Sequence, residues 1–244
     1  MTNQHTKQDT IFALATAMMR AAVAIVRVSG PSAYDSLNAM TLNTASSVNP
    51  ERRQEFKPRE ARLVRLKDPQ TKEKLDESLV LPFKGPASFT GEDMVEYHIH
   101  GGPAVIQALL ECLGRFESHR MAQPGEFTRR AFENGKMDLT SAEAINDLVC
   151  AETENQRVQA LDQLGGSLSK LYEGWRRQLI ESAAYLEATI DFADEDLPED
   201  EIFEKVSPGI IAIKSQMQEH LNDNRQGERL RDGIRIAIVG APHA

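Results

Sequence analysis

Cysteine is scarce here. Cys112 and Cys150 are the only two in 244 residues, both in helix-like stretches and without CxxC spacing. That argues against a disulfide framework and a cysteine zinc site, and for two reduced thiols. Long apolar runs are also missing: none approaches the roughly 20 residues a membrane helix needs. The opening Met1-Thr-Asn-Gln-His-Thr-Lys-Gln-Asp9 has neither a signal-peptide core nor an Arg-rich amphipathic pattern. A cytoplasmic protein without a membrane association is therefore expected. Positive charge is short as well. The formal net charge is −9, with +1 over residues 1–125 and −10 over residues 126–244. The acidic second half repels phosphates, which excludes non-specific nucleic-acid binding there and leaves only a local basic patch for a structured RNA. What remains is 41% hydrophobic residues, enough for a core, in a length that fits one large or two ordinary domains.

Regular βαβ alternation is absent too, so a doubly wound sheet is not expected. After an apolar entry at 10–17, Val23-Ala-Ile-Val-Arg-Val-Ser29 reads as a β-branched strand stopped by Gly30-Pro31. Residues 32–40 suggest a short helix, and 59–67 and 77–83 two more strands around the Asp68-Pro69 turn. Strand, helix, three strands and helix make an α/β domain with a mixed or antiparallel sheet, expected over residues 1–122. From residue 123 to 232 the pattern is helical. Leu161, Leu164, Leu168, Leu171, Trp175 and Leu179 recur at three- and four-residue spacing, the core stripe of a bundle, with a break expected at Gly165-Gly166. Thr140-Ser-Ala-Glu143 has the form of a capping box. Asp191 to Glu204 carries eight acids, read as a solvated loop between helices because it lacks the glycine and spacing of a calcium loop. The expected class is α+β.

The densest chemistry lies between Gly85 and Asp138. In Met94 to His100, Val95, Tyr97 and Ile99 alternate with Glu96, His98 and His100, the period of a strand with one buried face. Gly101-Gly102-Pro103 turns the chain into a helix carrying Val105, Ile106, Leu109, Leu110 and Leu113. Gln123 to Asp138 follows, rich in charge and poor in apolar residues. Arg27 stands inside an apolar strand. Such an arginine either reaches solvent along its stem, which the residue alone favours, or clamps an anion with its planar fork. Near the end, Gly233-Ile-Arg-Ile-Ala-Ile-Val-Gly240 resembles a buried strand opening on Gly240-Ala-Pro-His-Ala244, the first glycine and four spacers of a P-loop.

Together these motifs resemble the MnmE (TrmE) family of tRNA-modification GTPases. The matching runs are Asp9-Thr-Ile11, Arg27-Val-Ser-Gly30, Gly85-Pro-Ala-Ser-Phe-Thr-Gly-Glu-Asp93, His100-Gly-Gly-Pro103, Pro124-Gly-Glu-Phe-Thr128, Ala131-Phe-Glu-Asn-Gly-Lys-Met-Asp-Leu139, Ala142-Glu-Ala144, Ile190-Asp-Phe192 and Gly240-Ala-Pro-His-Ala244. The resemblance implies a folate-binding and dimerisation domain, the first part of a helical domain, and at residues 233–244 the first strand of a GTPase domain cut short. It implies addition of a carboxymethylaminomethyl-type group to C5 of the tRNA wobble uridine, as a homodimer with an FAD-dependent MnmG (GidA) type partner. A tetrahydrofolate derivative, 5-formyl- or methylene-tetrahydrofolate, would be the one-carbon source, with GTP, Mg2+ and K+ serving the intact protein. Arg27, Glu96 and Lys136 fall on the folate contacts, and Gly240, His243 and Ala244 on the incomplete GTP loop. His243 stands where the family usually has a potassium-binding Asn, and Ala17-Met-Met-Arg-Ala-Ala22 stands where it often has glycines.

Two other readings stay open on sequence. One is a free-standing folate-dependent enzyme of the aminomethyltransferase kind, acting through Glu96, His98 and His100. The other takes those three side chains, on one strand face, as metal ligands.

Overall fold

Thr10–Leu14 (β1) and Val23–Ser29 (β2) form an antiparallel pair, as their β-branched and apolar content dictates. The computed structural model describes residues 9–41, 56–191, 199–222, 227, 237, 239 and 240. It divides into two compact units, residues 1–137 and 138–244. In the first, Ala33–Thr41 (α1), Arg62–Lys67 (β3), Lys74–Phe83 (β4), Met94–His100 (β5), Pro103–Gly114 (α2), His119–Met121 (β6) and Glu126–Glu133 (α3) follow. The six strands make one mixed sheet in the order β3-β4-β5-β2-β1-β6. Four pairings are antiparallel, and β6 alone runs parallel to its neighbour β1.

One face of the sheet carries the core. Phe12, Val26, Val28, Val64, Leu66, Val80, Val95, Tyr97 and Ile99 are buried against Leu37 and Met40 of α1 and Ile106, Leu109 and Leu113 of α2. The opposite face holds the alternate residues. Register sets Leu81, Glu96, Arg27 and Ala13 side by side across four strands, and Leu63, Leu79, His98 and Ile25 in the next row. At one end this second face is closed by the segment 84–93 and α3. Ser29 there bonds Thr90 (2.7 Å) and the Glu92 carboxylate (2.8 Å).

A buried cluster of charge fixes α3. The Glu126 side chain, 1% exposed, accepts from Arg120 Nη1 and Nη2 at 2.9 and 2.6 Å, from Arg130 Nη2 at 3.3 Å and from the Gln123 amide at 2.8 Å. Arg120 also reaches Asp9 (3.1 Å), and Arg130 reaches the Asp9 carbonyl (2.8 Å) and Glu92 (3.2 Å). The division between units accordingly falls fifteen residues beyond the expected boundary at Ala122, because residues 123–137 are held by ion pairs to the sheet. β6 was not expected either: three residues are too few to show a period.

The second unit comprises Leu139–Cys150 (α4), Glu154–Leu164 (α5), Ser167–Asp191 (α6) and Glu199–Leu221 (α7). Thr140 does not cap α4. Asp138 does, accepting from the Ser141 amide at 2.7 Å, while Thr140 and Ser169 donate their hydroxyls to the same carboxylate. The reciprocal capping box belongs instead to Thr153 and Gln156 at the start of α5, after an unforeseen break at residues 151–153. The break at Gly165-Gly166 is where it was expected, with Gly166 at φ +85°. Glu199 to Glu204 lie within α7 rather than in a loop, and the acids at 194–196 fall outside the described residues. Trp175 is buried and donates to Gln216 of α7 at 2.9 Å, but much of the stripe, Leu161 and Leu179 included, stays open. The strand expected at 233–240 lies mostly outside the described residues, and Ala237, Val239 and Gly240 are in no strand.

Burial pushes the Glu126 carboxyl up, yet the Arg120 hydrogen bonds, the Gln123 amide and the two guanidinium charges outweigh it and hold it at about 2. A depressed carboxyl stabilises the fold above its unfolded value of 4.5 and loses that contribution as pH falls towards 2. Glu126→Gln should therefore lower the unfolding free energy near neutral pH by about 3 kcal/mol, since two arginines lose their counter-charge. The gap from the parent chain should narrow between about pH 5 and pH 2. Urea denaturation followed by circular dichroism across that range measures it.

Candidate functional site

The open face of the sheet holds an ion pair built by register. Arg27 on β2 and Glu96 on β5 are directly opposite. Arg27 donates through Nε (3.0 Å) and Nη2 (2.8 Å), both to Glu96 Oε1. The side chains are 25% and 14% exposed, so the pair borders solvent while excluding most of it. The guanidinium also lies 5.1 Å from the Phe89 ring centroid and 5.6 Å from that of Phe127. Two aromatic faces next to a cation add attraction beyond the ion pair and fix its orientation. Phe89 comes from the segment 84–93 and Phe127 from α3, so the charge cluster around Glu126 and Glu92 holds the flanks of the Arg27 site.

Glu96 keeps one oxygen for other partners. Oε2 lies 3.8 Å from His98 Nε2, beyond hydrogen-bond length. Arg27 thus orients Glu96 rather than standing free as a clamp, and the free acceptor is Glu96 Oε2. Lys136 is exposed and lies against Gly91 (φ +81°) rather than against the Arg27–Glu96 pair. A Cβ on Gly91 would stand 3.1 Å from Asn134 Cβ and 3.2 Å from Lys136 Cγ. Asn134 secures the approach by donating to the Thr90 carbonyl at 2.8 Å.

His100 turns away from this site. Its Nδ1 and its backbone amide both bond the Asp76 carboxylate, each at 2.8 Å. Burial pushes the Asp76 carboxyl up, but these bonds from His100 prevail and hold it below its ordinary value. The metal trio of the alternative reading, Glu96, His98 and His100, is therefore not assembled, and no group of three metal-ligating side chains converges among the described residues. Alternation places side chains on a face without making them converge. His243 and Ala244 lie outside the described residues, and Gly240 is in no helix or strand.

Phe89 and Phe127 were missed as site residues. Both stand inside the motifs Ser-Phe-Thr-Gly and Gly-Glu-Phe-Thr, but nothing local shows that they meet one arginine, Arg27, far from both in sequence. The same holds for Glu92 and Arg130. Among the described residues no helix is long and apolar enough to cross a membrane.

Gly91 offers a direct check. Alanine there must hold a left-handed φ and crowd Asn134, so Gly91→Ala should cost about 1–3 kcal/mol. Thermal or urea unfolding reads the loss, and NMR shifts of Lys136 read its displacement.

Residues 10–136 match the family model described as GTP-binding protein TrmE N-terminus, and residues 139–235 match the MnmE helical domain. A tRNA modification GTPase MnmE of Parvibaculum lavamentivorans is 52% identical over 97% of this chain and 51% of its own length. One from Caulobacter vibrioides is 50% identical over 97% of this chain and 50% of its own. A mitochondrial tRNA modification GTPase of Dictyostelium discoideum is 46% identical over 97% and 46%. The chain spans about half the length of the curated relatives it matches. Two family models in order, meeting where the two compact units meet, leave one conclusion: this chain belongs to the MnmE (TrmE) family of tRNA modification GTPases.

Proposed function

We propose that this chain is the folate-binding and dimer-forming part of a cytoplasmic tRNA modification GTPase. The whole protein, with an FAD-dependent MnmG-type partner, adds a carboxymethylaminomethyl-type group to C5 of the wobble uridine of tRNA. The one-carbon unit comes from 5-formyl- or methylene-tetrahydrofolate bound on the open face of the sheet. GTP binding, with Mg2+ and K+, is a property of the whole protein, entered through Gly240, His243 and Ala244.

The observation that carries the folate reading is the oriented carboxylate. Arg27 occupies Glu96 Oε1 and leaves Oε2 without a hydrogen bond among the described residues, while Phe89 and Phe127 flank the guanidinium. A pterin edge offers N–H donors to such an oxygen, and a charged acceptor makes those bonds strong. Lys136, exposed and lying against Gly91 of the segment 84–93, suits the carboxylates of the glutamate tail. Dimer formation is supported by apolar residues left open on this face, among them Leu63 (64% exposed) and Leu79 (40%). The first half is also nearly neutral, so two copies meet there without the repulsion the acidic half would impose.

Calorimetry with 5-formyl-tetrahydrofolate tests the first reading. Glu96→Ala should lose about 1.5–3 kcal/mol, roughly ten- to a hundredfold in Kd. Parent-like affinity in that variant would end the assignment. For assembly, Leu79→Asp should shift the sedimentation equilibrium towards monomer, because a desolvated charge opposes an apolar contact. A monomeric parent chain would remove the dimer from the proposal.

A further inference from the structure

His98 Nε2 is closed off from water and has no hydrogen-bond partner among the described residues. Buried polar atoms are nearly always paired, so an unpaired one at a binding face calls for an explanation. The neighbours on either side offer none. Ile25 on β2 and Leu79 on β4 stand directly opposite His98, and both are apolar. The nearest charged oxygen is Glu96 Oε2, at 3.8 Å, which is the oxygen that Arg27 leaves free.

The geometry points to Glu96 Oε2 and His98 Nε2 as a paired acceptor and donor that read the lactam edge, N–H beside C=O, of the bound pterin. This assignment rests on the folate reading above and names a specificity residue within it. A carboxylate only accepts, so the imidazole beside it keeps a proton on Nε2, where two lone pairs would otherwise face each other. Acceptor and donor then lie side by side. A 4-oxo pterin matches them, with its ring N–H on Glu96 and its carbonyl on His98. A 4-amino pterin does not: it brings an amino donor to the His98 donor and a ring lone pair to the Glu96 acceptor. The His98 side chain is 27% exposed, and rotation of the imidazole is the movement that would bring the closed-off Nε2 to a ligand seated at Oε2. Discrimination of this kind is large because an unmatched polar group in a closed site is left without water as well as without its partner.

The test compares 5-formyl-tetrahydrofolate with its 4-amino counterpart on the intact chain, by calorimetry, for the parent, His98→Leu and His98→Gln. The parent should bind the 4-oxo ligand at least about tenfold more tightly. His98→Leu, whose side chain suits the Ile25 and Leu79 surroundings, should lose about tenfold for the 4-oxo ligand and little for the 4-amino one. His98→Gln carries an amide N–H at similar reach and should recover most of the preference. Nitrogen NMR of labelled His98 gives a second readout: its Nε2–H signal should move on adding the 4-oxo ligand and stay put with the other. An unchanged preference in His98→Leu, or equal weakening of both ligands without recovery in His98→Gln, would overturn the role of His98 and leave the folate site standing. Failure of the parent chain to bind either ligand would overturn both.

Discussion

The first unit depends on one buried carboxylate. Glu126 sits between Arg120 and Arg130, and through those two guanidinium groups it is tied to Asp9 before β1 and to Glu92 before β5. A charge so deeply buried is tolerable only when its partners are complete, and removing any one strands the rest. The consequence is positional. Segment 84–93 and α3 are locked over the end of the sheet, and each contributes one phenylalanine to the flank of Arg27. The acid-rich motifs around Glu92 and Glu126 thus build the walls of the site without touching its open oxygen.

Within those walls the sheet does the aiming. Antiparallel register places Arg27 opposite Glu96, and the guanidinium spends two donors on one oxygen. A pair arranged in that way is half satisfied: the arginine is oriented by stacking and the carboxylate retains an acceptor at the border of solvent. Lys136 is placed by a different device, a glycine at φ +81° that lets the lysine stem lie against the backbone of segment 84–93. Strand register and aromatic stacking therefore constrain the Arg27–Glu96 pair, and a glycine turn constrains Lys136.

The second unit is governed by helix ends more than by its interior. Asp138 starts α4, and accepting from Ser169, Ser141 and Thr140 holds its carboxyl well below the ordinary range. Thr153 and Gln156 start α5, and Gly165-Gly166 ends it. Around Trp175 the helices α6 and α7 share a small aromatic cluster with Tyr172 and His220. Much of the apolar stripe is uncovered beyond it, in a chain that spans about half the length of its relatives.

Local periodicity was enough to define β2 and β5 to the residue, to place Glu96 and His98 on the face away from the core, and to end α5 at its glycines. Family membership was legible too, because it rests on short runs read in order. Other features depended on residues far apart in sequence. The break after Met137, the short parallel strand β6, the turn of His100 towards Asp76 and the true cap of α4 all follow from such partners. Arg27 shows the difference most plainly. As a residue in an apolar strand it looked destined for solvent; 69 positions away Glu96 supplies the charge that keeps it on the sheet, and Phe89 and Phe127 supply the faces. Side-chain alternation along a strand is a local property that a sequence carries by itself. Which strand lies alongside, and in what register, is decided only when the sheet closes over a common core.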